Sequence, residues 1–83
     1  MEPPFHLLRA ARVALDLSQR KLAELSGVST RTVYRVEKGD GLIESARRVQ
    51  GGLEKKGIKF LAADGTDGPG FRLPLRPPAE SRQ

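Results

Sequence analysis

Eighty-three residues are enough for one domain with a modest core, and too few to enclose a substrate-sized cavity as well. Fifteen Lys and Arg against ten Asp and Glu leave a net charge of +5, and the pI near 10.2 favours a polyanionic partner. The absence of cysteine excludes a disulfide framework and a Cys-based zinc site and suits a reducing cytoplasm. No apolar run approaches about 18 residues, so neither a membrane span nor a signal peptide is expected.

Pro3 and Pro4 mark the start of a first helix, because the missing proline amide costs little in a first turn. A helix from about Pro4 to Leu15 places Leu8, Ala11 and Leu15 on one face, with Phe5 nearby and Arg9 and Arg12 at its flanks. Asp16-Leu17-Ser18 is the link, and Ser18 caps the second helix. That helix runs from Ser18 or Gln19 to about Ser26, turning Leu22, Ala23 and Leu25 inward and Arg20, Lys21 and Glu24 to water. Gly27 supplies the corner, since a tight turn between crossing helices commonly needs a positive φ that glycine adopts without a Cβ penalty. Val28 plugs the corner, and Ser29 is the N-cap of a third helix, able to accept from an amide near Thr32. Steps of about 100° turn Val33 and Val36 to the core and gather Arg31, Tyr34, Arg35 and Lys38 on the opposite side.

Gly39-Asp40-Gly41 ends the third helix. Leu42 to Lys56 then reads as a fourth, with Leu42, Ala46, Val49 and Leu53 as its apolar stripe. The adjacent Gly51 and Gly52 cost roughly 1 kcal/mol each relative to alanine, so close packing is expected there, with another subunit as one candidate. Gly57 is a C-cap after Lys55 and Lys56, which suit the negative end of the helix dipole.

Beyond Gly57 the period changes. Ile58 to Ala62 and Phe71 to Leu75 alternate in part around a turn-rich Asp64 to Gly70, the pattern of a β-hairpin or two short strands. An isolated hairpin is marginal in water. A second copy pairing through Phe60, Leu61, Phe71 and Leu73 would cover it, and the alternative is an intramolecular lid over the fourth helix. The expected organisation is therefore a helical domain over residues 1–57, a β extension for dimerisation over 58–75, and a polar, proline-rich flexible tail over 76–83.

The Gln19-x-x-Leu22-Ala23 opening, the central Gly27-Val28 and the inward Val33 and Val36, followed by Glu37-Lys38-Gly39, resemble the Cro and cI-type (XRE-like) helix-turn-helix regulators over roughly residues 8 to 56. The tail, an Ile-x-Phe strand, Gly-Pro-Gly and an Arg-flanked strand, looks like an extension found on some bacterial members. The resemblance implies a mostly α, four-helix fold that binds double-stranded DNA. It places base readers at Thr30, Arg31 and Arg35, since the first turns of a recognition helix enter the major groove. Arg31 suits guanine O6 and N7, Arg35 a second base or a phosphate, and the Thr30 methyl a thymine. Ser18 and Gln19 resemble the family's backbone-positioning residues, where free amides favour phosphate. Lys38 and Lys21 fit the basic rim, and Tyr34 either contacts the DNA backbone or packs on helix 2 or 4. Glu37 matches an acidic position that pairs with an arginine of helix 1, and Arg12 stands at the matching spacing.

Other chemistry has little support. His6 is the one histidine and lacks metal-ligating neighbours, so no metal or cofactor is expected. No nucleophile, base and orienter arrangement suggests an enzyme. The expectation is a cytoplasmic, nucleoid-associated bacterial or phage regulator, a homodimeric repressor at an inverted repeat. The alternative is an antitoxin or antiactivator that captures a protein partner.

Overall fold

The computed structural model describes residues 2–75. The expected flexible tail at 76–83 lies outside the described residues. Four helices are followed by a two-stranded antiparallel sheet: α1 Phe5–Ala14, α2 Gln19–Ser26, α3 Thr30–Lys38, α4 Ile43–Lys55, β1 Lys59–Leu61 and β2 Gly70–Arg72. Among these residues no helix is long and apolar enough to cross a membrane.

The helix ends follow local chemistry. The Ser18 hydroxyl accepts from the Lys21 amide at 2.9 Å, and the Ser29 hydroxyl from the Thr32 amide at 3.1 Å, so each serine satisfies a donor that the first turn leaves free. Gly27 closes α2 at φ 71, and the Val28 amide reaches back to the Ala23 carbonyl at 3.1 Å. The end of α4 has the same form: the Ile58 amide donates to Leu53 and that of Gly57 to Glu54, while Leu53 and Ile58 are both buried. Asp16 makes the corresponding turn after α1 at φ 63 without being a glycine.

The core is a single cluster. Leu8 and Ala11 of α1, Leu22 and Ala23 of α2, and Val33 and Val36 of α3 all contribute to it. Val49 and Leu53 of α4 and Ile58 just beyond it complete the cluster, and α2 packs chiefly on α4 and α3. Each fully buried aliphatic contributes about 1.5–3 kcal/mol, which makes this cluster the main source of stability in so short a chain.

The fourth helix departs from its expected stripe. Leu42 is the N-cap, with extended backbone (φ −73, ψ 153), and is 76 % exposed. A residue outside the helix does not share the helical wheel, so Leu42 leaves the stripe that Ala46, Val49 and Leu53 continue. Gly52 is buried because α2 crosses there: a Cβ on it would lie 2.2 Å from the Ser26 Oγ. This close packing is intramolecular, and Gly51 has open space beside it.

The hairpin pairs Lys59 with Arg72, Phe60 with Phe71 and Leu61 with Gly70. Phe60 and Phe71 meet edge to face at 6.3 Å between centroids and pack against the helical core, with β2 touching α1. The strands are shorter than expected. Ile58 belongs to the α4 cap, and β2 ends before Leu73-Pro74, where proline lacks a ladder donor. Pro74 instead lies against Gly57. In the connecting turn the Asp64 carboxylate accepts from the Asp67 and Thr66 amides at 2.6 and 2.7 Å, which holds it below the usual carboxylate range.

Candidate nucleic-acid interface

The third helix is split by polarity. Val33, Val36 and Glu37 are buried, while Thr30, Arg31, Tyr34, Arg35 and Lys38 are exposed. Two aliphatics at a three-residue spacing fix the inner face, so the residues between and before them must point outward. Gly39 ends the helix at φ 86, a conformation that L side chains rarely adopt, and the Phe5 ring lies over it, 3.1 Å from where a Cβ would stand. Gly41 brings the following loop against Val36, where a Cβ would meet the Val36 Cγ2 at 2.6 Å.

Glu37 is the one buried charged residue among those described, at 6 % exposure. Arg12 of α1 donates to it twice, Nε to Oε2 at 2.6 Å and an Nη to Oε1 at 3.1 Å. The other Nη of Arg12 donates to the Leu17 carbonyl at 2.8 Å, and the Gln19 amide nitrogen donates to Glu37 Oε1 at 3.0 Å. The carboxylate thus ties α1, the linker and the first residue of α2 to the third helix. A two-pronged guanidinium contact fixes orientation as well as distance.

Beside this network is a shallow concavity lined by Arg9, Arg12, Gln19, Tyr34, Glu37 and Lys38. The Lys38 ammonium stands 5.1 Å from the centroid of the Tyr34 ring, a cation–π contact on the surface. Tyr34 is 49 % exposed, so its ring is on the basic face. A second groove, lined by Thr32, Arg35, Asp40, Gly41, Leu42 and Ser45, separates α3 from the start of α4.

The expected site residues therefore occupy two kinds of position. Thr30, Arg31 and Arg35 share the free face of α3, and no hydrogen bond or ion pair engages any of their side chains among the described residues. Ser18 and Gln19 stand at the start of α2 with their side chains already engaged, one as a cap and one on Glu37. Lys21 lies 3.7 Å from Glu24 on the outer side of the same helix. Arg9 joins the Tyr34 and Lys38 concavity although its sequence position marked it only as a helix flank; its place three residues before Arg12 was the available signal. The four hairpin residues divide: Phe60 and Phe71 are half-buried against the helices, and Leu61 and Leu73 are exposed at 36 % and 49 %.

No curated protein gives a significant match to this chain. The family profile described as helix-turn-helix matches residues 8–53, from Leu8 in α1 through Leu53 in α4, and so spans the whole helical core. The chain belongs to the Cro/cI-type helix-turn-helix family of DNA-binding regulators.

Proposed function

We propose that this protein is a sequence-specific transcriptional repressor that binds an inverted-repeat operator as a homodimer. The observation that carries the reading is the free cationic face of α3 held by a buried tether: among the described residues the Arg31 and Arg35 side chains have no hydrogen-bond or ion-pair partner, while Glu37 on the opposite side is fixed by Arg12 and Gln19. Arg31, in the first turn, donates two parallel bonds to a guanine; Arg35 reads one turn further in, and Thr30 meets a thymine methyl. Lys38, Tyr34 and Arg9 hold phosphates at the rim, together with the free amides at the start of α2.

Symmetry supplies the second half of the site. Two α3 helices about 34 Å apart enter successive major grooves on one side of the duplex. The second copy joins along the open hairpin edge, where Leu61, Leu73 and Leu75 are exposed, while Phe60 and Phe71 anchor each hairpin to its own helices. Repression needs only occupancy of a promoter. Footprinting on DNA upstream of the gene tests this reading: two protected half-sites about 10 base pairs apart are expected. A single protected half-site, or uniform protection, would contradict it.

A further inference from the structure

Among the described residues, three exposed cations of α2 and α4 are matched by carboxylates: Lys21 by Glu24, Arg47 by Glu2 and Arg48 by Glu44. Arg20 apart, the cations without a carboxylate fall in two places. One is the face of α3 with its Arg9 rim. The other is the end of α4 and the hairpin, where Lys59 and Arg72 stand directly opposite each other across the two strands.

That second pairing is unusual. Phe60 and Phe71 turn to the helices, so the strand period of two turns Lys59 and Arg72 to the outer face, where both are exposed. Like charges directly opposite one another destabilise a sheet, and a hairpin this short has little stability to lose. The acids of the hairpin, Asp64 and Asp67, lie in the turn beyond the Leu61–Gly70 end, and the Asp64 carboxylate is occupied by backbone amides.

We propose that Lys59 and Arg72 form a second phosphate-binding point, which clamps the DNA backbone outside the groove that α3 enters. The inference rests on the DNA-binding reading above. A bridging anion turns the repulsion between the two cations into attraction. Once α3 is docked, the same duplex presents one charge per roughly 1.7 Å of axis, at an effective concentration that a free acidic peptide does not reach. The molecule extends 40 × 36 × 16 Å, so its long dimensions exceed one helical turn of about 34 Å.

The test is the salt dependence of binding to a labelled mixed-sequence duplex of about 30 base pairs, roughly three turns. Three proteins are compared: wild type, Lys59→Gln/Arg72→Gln, and Arg47→Gln/Arg48→Gln, which removes the same charge from α4. The hairpin variant is expected to lower the slope of log K against log salt by about 1, near 0.9 for the one phosphate that the pair bridges. It should melt no lower than wild type, because the repulsion is gone, and the α4 variant should keep the wild-type slope. An unchanged slope in the hairpin variant, or an equal fall in both variants, overturns the inference. The first result would leave the pair to an acidic protein, and the second would reduce it to net charge. If wild type binds no duplex even at low salt, the DNA reading itself fails and takes the inference with it.

Discussion

Arg12 and Glu37, twenty-five residues apart in sequence, meet with two nitrogen–oxygen contacts of 2.6 and 3.1 Å, and their side chains are 13 % and 3 % exposed. The pair is a buried tether between α1 and α3 rather than a surface decoration. Its energetic signature is asymmetric, since removing one partner strands the other charge in a site with little access to water.

Glu37→Ala should therefore destabilise the domain by about 3 kcal/mol, toward the lower end for a buried pair because Arg12 keeps some solvent contact and its bond to Leu17. Urea unfolding would register this as a lower midpoint with an unchanged m-value. A loss under about 1 kcal/mol would class the pair with exposed ones.

The two glycines of α4 should respond oppositely to alanine. Gly51→Ala meets open space and should stabilise by about 0.5–1 kcal/mol through helix propensity. Gly52→Ala drives a methyl into Ser26 and should destabilise by about 1–2 kcal/mol after the propensity gain. Ser26 Oγ is buried without a hydrogen-bond partner among the described residues, so Ser26→Ala should cost little and should recover part of the Gly52→Ala loss. Additive effects in this double-mutant cycle would contradict the contact.

These glycines show where the sequence was readable. Periodicity located α1 to α4 and the inward set Leu22, Ala23, Val33 and Val36, because each position depends on its own helix. The caps Ser18 and Ser29 were equally local. The Gly52 contact depends on which residue of α2 crosses α4, a tertiary fact with no local trace. Leu42 was misplaced because one residue decides whether a cap lies on or off the wheel. For the site, spacing separated the outer face of α3 from its inner face, and the pairing of Arg12 with Glu37 came from family likeness alone. The hairpin's alternation was visible, but not which surface would cover Phe60 and Phe71.

Base readers and backbone holders should separate by specificity. Arg31→Ala should remove about 1–3 kcal/mol of discrimination at one operator position. Lys38→Ala should weaken binding on all sequences alike and reduce the salt slope by about 1. Titrations against operator and single-substitution duplexes would distinguish them; equal loss on every duplex for Arg31→Ala would demote it to a phosphate contact.

Leu73→Asp should yield a folded monomer in sedimentation velocity with much weaker operator binding, whereas Ile43→Asp, at a 63 % exposed position on α4, should remain dimeric. The reverse outcome would put the interface at the start of α4.

Sequence-specific recognition is tested most directly by fluorescence anisotropy of the pure protein on its own upstream DNA and on scrambled DNA of equal length, across a salt series. A preference of about a thousandfold or more, with two protomers per site, is the expected result. Equal, weak binding to both duplexes that fades together with salt would mean backbone attraction alone and would contradict the proposed regulator.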